Sequence, residues 1–377
     1  MPFFSLLIPF RDRELLTLHK CLDSIARQSF QDFELLLLDY GSSAGKSQEV
    51  EALYRNYPLT KYFFSNTRGL LWNRADALNT LIALSNGAYL MILDADIFVP
   101  TSFLQQAIEE LQRLSSPPVL ELRCFETLQN GLRIKKRTGR GLYMAQRTHI
   151  IETGGYDTFF RVWGVEDDDM IIRITPIGKQ NPVFLPDEGL IHIWHAHDYS
   201  RMPTGWLQFL TYQYLPAKQL KNNTAHKQSF DNHYPKLLTW RDRPILQKMD
   251  NKEDRGKNTL YFQFKTPLMH HYLQFMQLFS ILEEGKFMCV EQRFSYYIDE
   301  QKSIAKRLTQ FFNIILGTLR FSYRFTDIAT HDKGYIALLE VRDFLFYFLL
   351  NFEAQILDYF FEYDQEKITF WVCKKGA

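Results

Sequence analysis

Apolar runs and helical stripes alternate through the first half of this chain. Phe3-Phe-Ser-Leu-Leu-Ile-Pro-Phe10 reads as a buried strand. The segment after it carries Leu15, Leu18, Leu22 and Ile25 at spacings of three and four, the apolar stripe of a helix. Phe33-Glu-Leu-Leu-Leu-Leu-Asp39 is a second buried strand, broken by Gly41 and the two serines that follow. A helix near 46–56, a short strand at Lys61-Tyr-Phe-Phe64 and a helix from Arg68 to Ala83 continue the pattern. Near-continuous apolar strands separated by helices predict an α/β fold with a mainly parallel sheet covered on both faces.

The run Leu90-Met-Ile-Leu-Asp-Ala-Asp-Ile-Phe-Val-Pro100 ends in two carboxylates one residue apart. A helix follows, capped by Thr101 or Ser102, with Phe103, Leu104, Ala107, Ile108, Leu111 and Leu114 as its stripe. Open α/β sheets bind ligands outside the carboxyl ends of their strands, where strand order reverses. Asp39, Asp94 and Asp96 lie at such ends and predict a nucleotide-like site. Paired carboxylates there suit a hard cation, Mg²⁺ or Mn²⁺.

From 119 to 146 the pattern turns to short strands, Val119 to Phe125 and Gly141 to Ala145, around the basic loop Arg133-Ile-Lys-Lys-Arg-Thr-Gly-Arg140. Two readings of that loop stay open, an approach to a diphosphate and a solvated hairpin tip. Gly154-Gly-Tyr-Asp157 precedes Trp163-Gly-Val-Glu-Asp-Asp-Asp-Met170. Acidic residues at a helix N-terminus gain about 0.3–1 kcal/mol each from the macrodipole, which accounts for one or two of the four. Four in a row repel one another, and such crowding persists where a ligand or cation offsets it. The cluster His192-Ile-Trp-His-Ala-His197 supplies metal-binding side chains. In a straight strand His195 and His197 share a face and His192 takes the other.

Beyond residue 200 the alternation is lost. Three divisions are expected: residues 1–200 as the catalytic-type domain, 201–258 as a connecting segment packed on it, and 259–377 as a mainly helical region. Helical patterns run over Leu268 to Leu282, Tyr297 to Leu319 and Tyr335 to Phe361, before a strand-like Ile368-Thr-Phe-Trp-Val372. The Phe- and Tyr-rich stripes read as the core of that region, with a membrane-surface or partner-binding face as the second reading.

Composition removes some classes. With 44 Lys+Arg against 43 Asp+Glu the chain has no global basic footprint for nucleic acid. Cys21, Cys124, Cys289 and Cys373 show neither zinc spacing nor disulfide density, which fits a reducing compartment. The N-terminal run is stopped by Pro9 and Arg11-Asp12-Arg13, so it reads as a strand and not a signal peptide. No segment approaches the ~18 apolar residues that span a bilayer. The expectation is a cytoplasmic protein, with peripheral contact at the inner membrane face left open.

Five ordered stretches, Ile8-Pro-Phe-Arg-Asp-Arg13, Trp72-Asn-Arg-Ala75, Leu93-Asp-Ala-Asp-Ile97, Gly154-Gly155 and Trp163-Gly-Val-Glu-Asp-Asp-Asp169, resemble the GT-A glycosyltransferases. The first two stranded units look like family 2. The later motifs are similar to the galactosyltransferase-like branch, shared with β1,4-galactosyltransferases and chondroitin-type polymerases. The resemblance covers about residues 3 to 200.

It implies that Pro9, Phe10, Arg11 and Arg13 line a nucleotide pocket, with Asp39 near the base or ribose. Trp72 and Arg74 would meet the nucleotide and its diphosphate, to which a guanidinium forks well. Asp94 and Asp96 would belong to a Mn²⁺ or Mg²⁺ site, Asp96 as the more direct ligand. The distal ligand pattern matches His192-x-x-His195; with strand alternation considered, His195 ranks first, His192 second and His197 third. Gly155 would let backbone approach the donor sugar, and Trp163 would stack on the acceptor. Glu166, Asp167 and Asp168 would bond sugar hydroxyls, Asp167 serving as general base and Glu166 standing next. Val165 departs from the family's usual glycine and bears on the choice of sugar.

The implied activity is metal-dependent, inverting transfer of a sugar from a nucleotide-diphosphate sugar such as UDP-Gal, UDP-GalNAc or UDP-GlcNAc to a glycan hydroxyl, in surface polysaccharide synthesis. With the sheet starting at residue 3 there is no room for an N-terminal anchor and stem, and a bacterial-type enzyme is expected. Two rivals are a non-catalytic sugar-nucleotide-binding or scaffold protein of the same fold, and a nucleotidyltransferase. The latter needs a glycine-rich phosphate loop that Pro9-Phe-Arg-Asp-Arg13 lacks.

Overall fold

A computed structural model describes residues 1–114, 119–128, 131–161, 164–178, 182–185, 189–195, 230–231, 258–265, 268–294, 338–364 and 366–376, with backbone alone described over 133–140 and at 178 and 339. The chain forms two units: residues 1–197 with 208–241, and residues 198–207 with 242–377.

In the first unit, β1 (Phe4–Phe10) and β2 (Phe33–Asp39) are buried along their whole lengths and pair in parallel, Phe10 opposite Asp39. Side chains alternate across a strand, so two cores form. Phe4, Leu6, Ile8, Phe10, Leu35 and Leu37 join Leu18, Leu22 and Ile25 of α1 (Leu15–Ala26) and Phe103, Leu104 and Ala107 of α4 (Phe103–Arg113) on one face. Leu7, Leu36 and Leu38 meet Leu78, Leu81 and Ile82 of α3 (Arg74–Leu84) on the other. Both helical stripes expected from spacing therefore face the sheet.

The remaining elements of the unit are α2 (Ala44–Tyr54), β3 (Thr60–Phe64), β4 (Tyr89–Ile92), β5 (Ile97–Phe98), β6 (Val119–Thr127), β7 (Arg133–Gln146), α5 (Arg147–Glu152), α6 (Glu166–Gly178), β8 (Val183–Phe184) and β9 (Leu190–His192). The sheet runs β3-β2-β1-β4-β7-β6-β9-β5, with β8 beside β6. The pairs β1/β2, β2/β3, β1/β4, β6/β8 and β6/β9 are parallel. The chain moves from β1 outward to β3, then returns to lay β4 on the other side of β1. That reversal puts the loops after β1, β2 and β4 at one edge, the expected ligand edge.

Two local expectations change. The helix expected from Arg68 begins at Arg74: Gly69 takes a positive φ of 75° and Asn73 caps the helix by accepting from the Asp76 amide at 3.0 Å. The basic stretch 133–140, read as a loop, belongs to β7, with Arg137 opposite Cys124 and Thr138 opposite Arg123. Long antiparallel pairing overrides its polarity.

The second unit carries the expected helices as α7 (Leu268–Ile281) and α8 (Leu338–Asn351). The helix expected to reach Phe361 ends at Asn351, and Ile356–Tyr363, rich in aromatic residues, is a strand, β12. It joins a four-stranded sheet with β10 (Thr259–Tyr261), β11 (Phe287–Arg293) and β13 (Lys367–Lys374), in the order β10-β11-β13-β12. The helical reading had no sheet here beyond the strand at Ile368 to Val372. Phe275 and Phe279 of α7 meet Phe348 of α8 edge-on at 5.0 and 4.9 Å, so the aromatic stripes do form core. The helix expected over Tyr297 to Leu319 lies outside the described residues. Among the described residues no helix is long and apolar enough to cross a membrane.

Candidate active site

The chain leaves β4 through a turn in which the Ile97 amide bonds the Asp94 carbonyl at 3.3 Å. The turn presents Asp94 and Asp96 to different partners. Asp96 Oδ2 lies 3.1 Å from His195 Nε2 and 3.6 Å from His192 Nε2. β5 pairs antiparallel with β9, setting Ile97 opposite His192, and the Ile193 amide donates to the Asp96 carbonyl at 2.8 Å. Strand alternation had put His192 and His195 on opposite faces. Because β9 ends at His192, the chain has left strand geometry before His195, and both imidazoles reach one carboxylate. His197 and Trp163 lie outside the described residues.

One ligand atom each from Asp96, His192 and His195 falls within 4.8 Å of the others. Burial by itself raises the Asp96 pKa, but hydrogen bonds from His192 and His195, and the charge of Arg13, hold it well below the usual carboxylate range. An ionised carboxylate beside two imidazoles is a donor set that a divalent cation fits. Asp94, expected beside Asp96 on the cation, stands outside this cluster.

Asp94 belongs instead to Arg74. The guanidinium donates through Nε to Asp94 Oδ1 at 3.0 Å, through Nη1 to Asp167 Oδ1 at 2.6 Å, and through Nη2 to the Gly141 carbonyl at 2.9 Å. Glu166 Oε1 is 3.5 Å from Nη1. The Arg74 side chain is 12% exposed and engaged on three sides, so it gathers the carboxylates of the site.

The four consecutive acids separate along α6. All four occupy its first turn; Glu166 and Asp167 turn to Arg74, whereas Asp169, 1% exposed, pairs at 2.7 Å with Arg173 one turn on. Two arginines thus supply the offsetting charge. Asp168 is half-buried next to Asp167. Burial, then the Asp167 charge, pushes the Glu166 carboxyl up to about 8. Burial also raises Asp167, opposed by Arg74. The two carboxyls share the Arg74 guanidinium, Asp167 at 2.6 Å and Glu166 at 3.5 Å, and so titrate as a pair.

The loops after β1 and β2 are tied together. Arg11 donates to the carbonyls of Tyr40 at 2.6 Å, Leu70 at 2.7 Å and Thr67 at 2.6 Å, and its Cζ sits 5.2 Å from the Tyr40 ring centroid and 5.8 Å from that of Trp72. Asp39 is fully buried and accepts from the Ser42 amide, Ser47 Oγ and Tyr62 Oη at 2.8, 2.6 and 3.3 Å. Arg11 and Asp39 therefore shape the loops. Phe10 lies in the core and Pro9 is buried in β1, whereas Arg13 is exposed.

Gly155, expected to face a sugar, is placed by packing: at φ 67° an added Cβ would stand 2.4 Å from Asn79 Oδ1, which also accepts from the Tyr156 amide at 2.7 Å. Val165 sits at φ 78° directly after Gly164 at φ 87°, a left-handed conformation that strains a β-branched residue. Its carbonyl receives the first bond of α6, from the Asp169 amide at 3.0 Å.

Three neighbours of the site escaped the sequence reading. Gly141 lies where an added Cβ would stand 2.8 Å from Asp167 Oδ2. Glu126 Oε2 is 3.3 Å from His192 Nδ1, and Thr127 Oγ1 donates to the His192 carbonyl at 2.7 Å. All three lie within β6 or β7, where only strand register reveals their neighbours.

Residues 5–117 match the family model of glycosyl transferase family 2, and residues 122–188 match that of the N-terminal domain of galactosyltransferase. A chondroitin synthase of Escherichia coli is 24% identical over 113 residues, 30% of this chain and 15% of that protein. A PGL/p-HBAD biosynthesis glycosyltransferase of Mycobacterium bovis is 35% identical over 95 residues, 25% of this chain and 36% of that protein. The chain spans 15% to 36% of the length of these two curated relatives. The crystal structure of S. aureus TarS 1-349 in complex with UDP-GlcNAc aligns with a TM-score of 0.46 at 16% identity, over 63% of this chain and 72% of that one. The two matches follow one another along residues 5–188, in the same order as the motifs and across the sheet whose strand order reverses at β1.

Proposed function

We propose that the chain is a metal-dependent, inverting glycosyltransferase. It moves a sugar from a nucleotide-diphosphate sugar, a UDP-sugar such as UDP-Gal, UDP-GalNAc or UDP-GlcNAc, to a hydroxyl of a glycan acceptor in surface polysaccharide synthesis. The observation that carries this reading is the turn Asp94-Ala-Asp96. Its two carboxylates connect a cation-type cluster, Asp96 with His192 and His195, to a buried acid pair, Glu166 and Asp167 on Arg74. The neighbourhood of a chondroitin synthase and of galactosyltransferase-type sequence supports hexose or hexosamine donors.

In this reading Asp96, His192 and His195 would hold Mn²⁺ or Mg²⁺, and the two nitrogens favour Mn²⁺, because Mg²⁺ is bound almost wholly by oxygen. A cation held there would supply positive charge to offset the negative charge developing on the departing diphosphate. Asp167 accepts the proton of the acceptor hydroxyl as its oxygen forms the new bond to the anomeric carbon. The bond to the diphosphate breaks with its electron pair leaving on the phosphate oxygen, and attack from the opposite side inverts the centre. Arg74 keeps Asp167 ionised and aimed. Glu166, protonated at neutral pH, donates to a sugar hydroxyl, and Asp168 and Trp163 meet the acceptor. Arg13 and Trp72, at the loops after β1 and before α3, border the nucleotide.

The test is UDP release on incubation with a panel of UDP-sugars, glycan acceptors and Mn²⁺, with GDP- and CDP-sugars as controls. Release that needs both Mn²⁺ and an acceptor, and that falls at least ~10²-fold in Asp167→Asn with donor affinity retained, is expected. Donor binding without turnover under any pairing would leave a sugar-nucleotide-binding scaffold in its place.

A further inference from the structure

The His192 imidazole has a carboxylate near each of its nitrogens. Nε2 points to Asp96 at 3.6 Å, and Nδ1 lies 3.3 Å from Glu126 Oε2. The second contact is fixed by register: β6 and β9 run parallel with Cys124 opposite Leu190, Phe125 opposite Ile191 and Glu126 opposite His192. Two further features pin the strands together. Thr127 Oγ1 donates to the His192 carbonyl at 2.7 Å, and Gly189, at the head of β9, comes so near β6 that an added Cβ would lie 2.7 Å from the Arg123 carbonyl oxygen.

A neutral imidazole carries one N–H and one lone pair, and the partner of one nitrogen decides what the other presents. With a cation bound, a carboxylate at Nδ1 would keep the ring proton there, turn the Nε2 lone pair to the cation in place of an N–H aimed at Asp96, and make that nitrogen a stronger donor. The His192 side chain is 13% exposed, so water competes little for Nδ1, and Glu126 at 28% is partly buried with it.

We propose that Glu126 is a positioning residue for the cation site, setting the tautomer and orientation of the His192 imidazole so that Nε2 faces Asp96 and His195. The proposal rests on the reading of Asp96, His192 and His195 as cation ligands. Glu126 itself touches neither donor nor acceptor in this assignment. A plain structural ion pair between Glu126 and His192 is the competing account.

The test uses the full chain, Mn²⁺ alone as probe, and no turnover. Electron paramagnetic resonance of free Mn²⁺ gives affinity, and electron spin echo modulation reports ¹⁴N nuclei coupled to the bound ion. Wild type is expected to bind with imidazole coupling, which His192→Ala and His195→Ala each reduce. Glu126→Ala is expected to weaken Mn²⁺ binding about 10- to 100-fold and to diminish the coupling assigned to His192, while circular dichroism stays native. Glu126→Gln, whose carbonyl oxygen still accepts from Nδ1–H, is expected to fall between wild type and alanine. If the alanine variant does not fold, the glutamine variant decides by its affinity. Wild-type affinity and undiminished coupling in the folded variants overturn the proposal and leave the cation site standing. Absence of Mn²⁺ binding by wild type overturns both.

Discussion

Arg74 Nη1 lies 2.6 Å from Asp167 Oδ1 while Nε of the same guanidinium lies 3.0 Å from Asp94 Oδ1. One cation at the head of α3 thus joins the turn after β4 to the first turn of α6. Removing it strands carboxylates in a buried setting. Arg74→Ala is expected to destabilise the protein by about 3–5 kcal/mol, measured by urea unfolding. Arg74→Lys should recover only part of the loss, since an ammonium does not span three partners. Full stability of the lysine variant would refute the fork.

Asp94 and Asp96 should respond differently. Asp96→Ala is expected to abolish Mn²⁺ binding and cation-dependent turnover, because Asp96 is the carboxylate between both imidazoles. Asp94→Asn is expected to keep Mn²⁺ affinity within about twofold of wild type while losing stability through Arg74, by roughly 1–3 kcal/mol. Calorimetric titration of both variants with Mn²⁺ decides: equal losses would place Asp94 on the cation.

Glu166 makes stability depend on pH. Its carboxyl is raised from 4.5 to about 8, first by burial and then by Asp167. The folded state holds a proton that the unfolded chain releases at lower pH, so this contribution is complete below pH 4.5 and is lost as pH rises through about 8. Thermal unfolding between pH 5 and 9 should show wild type falling more steeply than Glu166→Gln. Parallel curves would mean that Glu166 is ionised throughout.

Gly141 is expected to tolerate no side chain. A Cβ there would meet Asp167 Oδ2 at 2.8 Å, and Arg74 clamps that carboxylate so it cannot swing away. Gly141→Ala is expected to lower kcat by at least ~10-fold through misplacement of Asp167 while Mn²⁺ affinity stays unchanged. Steady-state kinetics beside a Mn²⁺ titration read both; an unaltered kcat would show that Asp167 is free to move.

At Val165 the backbone prefers glycine. With φ at 78°, Val165→Gly should be more stable than Val165→Ala by roughly 1 kcal/mol, the reverse of the usual order in regular structure. Differential scanning calorimetry of the two variants tests this, and an alanine variant of equal or greater stability contradicts the strained conformation.

The sequence by itself determined the fold of the first unit and most of the chemistry at its edge. Leu6, Ile8, Leu35 and Leu37 alternate with Leu7, Leu36 and Leu38, and α1 and α4 carry matching stripes, so burial on two faces was written in periods of two and three to four residues. Asp94, Asp96, Glu166, Asp167 and the histidines were visible for the same local reason, since their spacing is short and their chemistry unusual. Pairings between distant residues were decided only by tertiary structure. Arg74, read as a phosphate contact, became the hub of Asp94 and Asp167 because α3 opens beneath the turn after β4. His192 joined His195 on Asp96 because β9 stops at His192, which strand alternation alone does not foretell. Gly141 and Glu126 carry no local signal. Their roles arise from which residue of β7 lies under α6 and which residue of β6 lies opposite His192, and register between strands far apart in the chain is set by the whole packed sheet.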